Sequence, residues 1–126
     1  MKLKKAENRT VVRGKVSLSI YKNGNIQFTL ASQKELEMDN KHANFYQDED
    51  SPGDWYLHLC EYDGLKINTY DIKKGPNCSS KSIAQEIKKS TRNPIHKTLR
   101  AMIGKEIIED GLKLYPLLIK NGDERP

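Results

Sequence analysis

The stretch that most constrains this chain is Phe45 to Leu59, FYQDEDSPGDWYLHL. Two short apolar runs flank an acidic turn. Phe45 and Tyr46 lead in, and Trp55, Tyr56 and Leu57 lead out with the only tryptophan of the sequence. Between them Asp48, Glu49, Asp50 and Asp54 surround Ser51-Pro52-Gly53. Proline presets φ and glycine accepts positive φ, so the adjacent pair marks a turn. The stretch therefore reads as a central strand pair, with the rest of the fold packed round Trp55.

Alternation elsewhere extends this β-rich reading. Val16, Leu18 and Ile20 alternate with polar residues, as do Ile26, Phe28 and Leu30. Between them lies Lys22-Asn23-Gly24-Asn25. A two-residue Asn23-Gly24 turn would set Ile20 opposite Gln27 and mix the faces. A three-residue loop, Lys22 to Gly24, pairs Ile20 with Ile26 and Leu18 with Phe28 and puts Gly24 at the left-handed position. Asp63-Gly64 is a second hairpin signal, returning as a strand from Leu65 to Ile72. Asp110-Gly111 is a third, joining Thr98–Ile103 and its extension through Ile107-Ile108 to Leu112–Ile119. An irregular join is expected at Gly104, and Pro116 points to an edge strand.

Two helices are expected. Ser32 with Glu35 reads as a capping box for a short one, with Leu36 and Met38 as its core contacts. The longer helix runs from Ser80 to about Ser90, capped by Ser79 or Ser80 and ended by Asn93-Pro94. Ile83, Ala84 and Ile87 form its apolar stripe. The expected class is α+β, a mainly antiparallel sheet built from three hairpins with one short and one longer helix. The expected core includes Trp55, Leu57, Leu18, Ile20, Phe28, Ile83 and Ile87. Residues 1–12 read as a flexible basic arm, 13–120 as a single domain and 121–126 as a tail.

With 36% hydrophobic and 31% charged residues the core must be lean. No apolar run reaches the ~18 residues of a membrane span. The first 15 residues lack the apolar segment of a secretory signal. Cys60 and Cys78 read as reduced thiols, and a cytoplasmic location without membrane contact is expected.

Charge is unevenly distributed along the chain. Residues 1–15 carry six bases and one acid, the whole net charge of +5. From Ala31 to Ile72 there are ten acids and three bases; from Lys73 to Lys105 there are nine bases and one acid. Basic clusters of this kind attract phosphate backbones by counterion release. The expected phosphate contacts are Lys81, Lys88, Lys89, Arg92, Lys97 and Arg100, with Lys4, Lys5, Arg9 and Arg13 from the arm. Tyr21, Tyr46, Tyr56, Tyr62, Tyr70 and Tyr115 are candidate stacking faces. The bland alternative is a solvated basic helix and half-buried sheet tyrosines.

Other chemistry is weaker. Taken as a Ca²⁺ loop starting at Asp48, the acidic turn has Pro52 at the fifth position and Leu59 where a bidentate Glu is required, so a solvated turn is expected. His58 and Cys60 would share one strand face, but a zinc site would also need Cys78 and His96. There is no nucleophile elbow and no phosphate-cradling glycine loop. The chain is expected to be non-enzymatic, to use no metal or cofactor, to bind nucleic acid and to form a homo-oligomer. The alternative is a phage or mobile-element accessory or assembly protein acting through protein–protein contacts, acidic face to basic face.

Residues 24 to 59 carry a family pattern. Gly24-Asn25-Ile26-x-Phe28 precedes a short helix ending in Leu36-x-Met38, then the strand Ala43 to Tyr46 and a turn into Trp55-Tyr56-Leu57. This resembles the swapped-hairpin DNA-binding domains of the AbrB-like and MazE-like families. The resemblance implies intertwined dimers that bind DNA through basic residues of strands and loops; in this segment those are Lys34 and Lys41. The phrase from Gln47 to Leu57 is also similar to small bacterial and phage proteins to which no function is attached.

Overall fold

The computed structural model describes residues 1–4, 14–69, 73–120 and 122. The fold is α+β and mainly antiparallel, as the alternation requires. In order come β1 (Ser17–Ile20), β2 (Asn25–Phe28), α1 (Leu30–Glu35), β3 (His42–Gln47), β4 (Trp55–Cys60), β5 (Leu65–Lys66), β6 (Asn77–Ser79), α2 (Lys81–Ser90), β7 (Leu99–Ile103), β8 (Ile107–Glu109) and β9 (Leu112–Leu118). The sheet runs β5-β3-β4-β9-β7-β1-β2-β6, with β8 added beside β9. Asn68, just past β5, exchanges two backbone hydrogen bonds with Asn77 of β6, at 2.7 and 2.9 Å. That bridge brings the two ends of the sheet together, so the sheet is barrel-like.

The first hairpin has the three-residue loop. Leu18 faces Phe28, Ile20 faces Ile26, and Gly24 sits at φ +92°. The acidic turn closes the second hairpin, β3–β4, from Gln47↔Trp55 down to His42↔Cys60. Asp110 and Gly111 both adopt positive φ, +50° and +80°. That is what a two-residue type I′ turn requires, and they close β8–β9.

Asp63-Gly64 does not close a hairpin, which corrects the sequence reading. Of the two, only Gly64 has a positive φ, +117°. The chain instead crosses the end of β3, and β5 pairs on the far side of it. A Cβ on Gly64 would lie 2.7 Å from the Ala43 carbonyl oxygen, and Asn44 donates to the Asp63 carbonyl. The expected strand to Ile72 is only Leu65–Lys66; residues 70–72 lie outside the described residues. The short strand β6, which the sequence reading does not include, pairs with β2.

Pro116 is not on an edge. β9 lies inside the sheet, paired with both β4 and β7. Ile103 faces Leu117 while Ile107 faces Leu114, so four steps on one strand match three on the other. That extra residue is a bulge at the Gly104 join, and Gly104 N–H donates to the Pro116 carbonyl at 2.8 Å. A residue in an antiparallel strand points its N–H and C=O toward the same neighbour. The N–H that proline lacks therefore falls opposite the bulge, where the ladder is already interrupted.

The short helix starts earlier than expected. Thr29, not Ser32, is its N-cap, accepting from the Ser32 N–H. Ser32 is buried, and its hydroxyl bonds both the N–H and the carbonyl of Ser17 at 2.9 Å. It stitches α1 to β1, so Glu35 is no part of a capping box. α2 is capped by Ser80 and ends at Ser90, with Thr91 as C-cap and Arg92 at φ +60°, ahead of Asn93-Pro94. The core holds Leu18, Ile20, Phe28, Leu57, Ile87 and Met38 fully buried and Trp55 at 4% exposure. Ile83 packs against that core half-buried. No described helix is long and apolar enough to cross a membrane.

Candidate nucleic-acid interface

The basic surface is built on α2. The helix forms because Ser80 caps it and because Ala84 and Ile87 recur on one face and bury in the core. β6 feeds it directly, and Gly24 lies so close that an added Cβ would stand 2.7 Å from the Lys81 Cα. At the other end Trp55 donates its indole N–H to Ser90 Oγ at 2.7 Å. The turn after the helix is held by Thr91 Oγ1 on the Ile87 carbonyl at 2.7 Å and by Asn93 on the Lys120 carbonyl at 3.1 Å.

Lys81, Lys89, Arg92 and Lys97 are exposed on this frame. Lys81 and Lys89 are eight residues apart, about 12 Å along the axis and roughly 80° round it. Lys88 departs from the expected set. It is 1% exposed, and its ammonium donates to the Ile95 carbonyl at 3.0 Å. Burial lowers its pKa from the usual lysine value. The apolar stripe continues past Ile87 by one position, and Lys88 is the residue that falls there, so its ammonium is committed inside the fold. Arg100 also parts from the others. It lies on β7 opposite Ser19, exposed on the outer face of the sheet. Of the arm residues, Lys4 is exposed, while Lys5, Arg9 and Arg13 lie outside the described residues.

The acidic and basic stretches meet at one point. Asp54 immediately precedes Trp55, whose indole reaches Ser90 beside Lys89. The acidic turn and the end of α2 are therefore neighbours. Within the turn Asp48 accepts from the Asp50 N–H at 2.9 Å, and Asp54 accepts from Ser51 Oγ at 2.9 Å. These are bonds that hold a turn together.

The histidines and cysteines are dispersed. Cys78 is fully buried on β6, and burial pushes its thiol up to about 12. His58 bonds the Lys113 carbonyl through Nδ1 at 3.0 Å, and His96 lies exposed after α2. Among the described residues no three His, Cys, Asp or Glu side chains come together as a metal site. Of the candidate stacking tyrosines, Tyr46 and Tyr56 pair across β3–β4, Tyr62 is exposed in the crossing loop, and Tyr70 lies outside the described residues. Tyr115 instead lines a cleft of about 540 Å³ at the end of α1, together with Val16, Leu36 and Ile103. Desolvation, more than its charged neighbours, raises the Tyr115 pKa.

No protein-family model, curated protein or solved structure matches this chain.

Proposed function

We propose that this chain is a non-enzymatic nucleic-acid-binding protein that contacts the phosphate backbone through Lys81, Lys89, Arg92 and Lys97. One observation carries this reading. α2 and the turn after it turn these four cations to solvent, in a stretch from Lys73 to Lys105 with Glu86 as its single acid. Cations spread along a helix and the following turn suit backbone contact, which supplies affinity and register without reading bases.

Fluorescence anisotropy with labelled single- and double-stranded DNA and RNA tests it at ~50 and ~200 mM salt, a range over which several phosphate contacts change affinity by orders of magnitude. Binding that weakens steeply with salt and is lost on reversing Lys81, Lys89 and Arg92 to Glu supports the reading. No binding to any of the four at low salt removes it. A second reading, assembly through protein contacts, is favoured by an apolar patch on the outer face of the sheet.

A further inference from the structure

Strand register assigns every sheet side chain to one of two faces, because directly opposed residues share a face and alternate residues along a strand do too. The inner face carries Trp55, Leu57, Leu117, Ala101, Ile103, Leu18 and Ile20, all buried. On the outer face Tyr46 faces Tyr56, Tyr56 faces Pro116, and Leu118 faces Met102. An antiparallel sheet with one solvated face should be polar on that face. Over β1 and β2 it is: Ser17, Ser19, Asn25 and Gln27 occupy it. From β3 across β4 and β9 to β7 it is not. Leu118 is 58% exposed, Tyr46 43% and Met102 38%, and Pro116 is half-buried between them. Leu118 and Met102 face each other on β9 and β7, and Tyr46 on β3 joins them through Tyr56 and Pro116, so these side chains form a patch rather than scattered exposure.

The charges flanking this patch have opposite signs. Asp54, two residues before Tyr56, continues the outer face on the β4 side, where its carbonyl accepts from the Asp48 N–H at 3.0 Å. Arg100, two residues before Met102, continues the same face on the β7 side. β9, with Leu118 and Pro116, lies between them.

We propose that the outer face of β4, β9 and β7 is a homodimer interface, in which a second copy of this chain docks about a two-fold axis running along β9. Such an axis leaves β9 facing its own copy, so Leu118 meets Leu118. It exchanges the flanks, so β4 of one copy meets β7 of the other. Asp54 of each chain then lies toward Arg100 of its partner, and Tyr56 lies over the Gly104 bulge, where glycine adds no side chain beside those of Pro116 and Leu118. A two-fold interface must be self-complementary, and this face is: apolar on the axis, acidic on one flank and basic on the other. The proposal is independent of nucleic-acid binding and moves Arg100 from that role to this one.

Sedimentation equilibrium without nucleic acid tests it, over ~1–100 µM, the range of a moderate protein–protein affinity. The expected result is a mass of twice the 14.5 kDa chain, with Leu118→Glu monomeric at every concentration while its circular dichroism stays that of the parent and its melting curve matches that of the parent diluted until it is monomeric. Asp54→Lys and Arg100→Glu should each weaken the dimer at least tenfold, and the double variant should regain it. A parent that stays monomeric at the highest concentration overturns the proposal. So does a dimer that survives Leu118→Glu, or a double variant no better than the singles.

Discussion

Trp55 on β4 and Ser90 in the last turn of α2 are joined by an indole N–H to hydroxyl hydrogen bond of 2.7 Å. It ties the hairpin of the acidic turn to the helix that carries the basic surface. Ser90 in turn donates to the Ile87 carbonyl at 3.1 Å, so it serves the helix end and the tryptophan together. Trp55→Ala should lower the unfolding free energy by about 3–5 kcal/mol, as for other buried aromatic truncations. Ser90→Ala should cost about 1–3 kcal/mol, because it strands a buried donor. Urea denaturation followed by circular dichroism measures both. A Trp55→Ala midpoint equal to that of the parent would refute the central place given to the ring.

Lys88 and Lys89 are adjacent in sequence and opposite in environment. If phosphates are bound on the solvent face of α2, Lys89→Met should reduce the slope of log affinity against log salt by about 1, the signature of one lost phosphate contact. Lys88→Met should leave the slope unchanged, because its ammonium is spent on the Ile95 carbonyl. Anisotropy titrations at several salt concentrations separate the two. Equal effects would mean that Lys88 reaches solvent.

Gly24 and Gly111 both hold positive φ, but their surroundings differ. An added Cβ at Gly111 meets open space, whereas one at Gly24 meets the Lys81 backbone at 2.7 Å. Gly111→Ala should cost about 1–2 kcal/mol, the price of left-handed backbone alone. Gly24→Ala should cost clearly more, since the hairpin must also move away from the start of α2. Thermal unfolding of the two variants gives the order, and equal shifts would contradict the close approach.

Burial raises the Cys78 thiol to about 12, and Cys60 is half-buried. With excess alkylating reagent at pH 8, one thiol should react in the folded protein and two in urea; mass spectrometry of the peptides should place the first at Cys60. The linkage sign follows from the same shift. A thiol that stays protonated in the fold but ionises in the unfolded chain stabilises the fold fully below the unfolded pKa. That contribution is lost as pH rises from about 9 toward 12. The alkaline fall in stability should therefore be shallower in Cys78→Ala, as urea midpoints at pH 8 and 10 would read it.

Sequence alone determined what is local. Alternation of side chains set the strands, and the facing argument at Ile20 and Ile26 set the loop length, because a one-residue slip turns every side chain to the wrong face. Ser80 and the Ile83–Ile87 spacing set α2. What only the tertiary structure decided is which strands become neighbours and which charges reach water. Asp63-Gly64 has the composition of a hairpin turn, but β3 was already paired on one side only, and β5 took its open edge. Pro116 sits inside the sheet because a bulge twelve positions earlier in the chain, at Gly104, interrupts the ladder where proline lacks its donor. Lys88 looks like part of a basic face, yet the turn after α2 folds over it and supplies a carbonyl. Each depends on backbone groups far apart in sequence meeting in space, and no local pattern of residue types encodes that meeting.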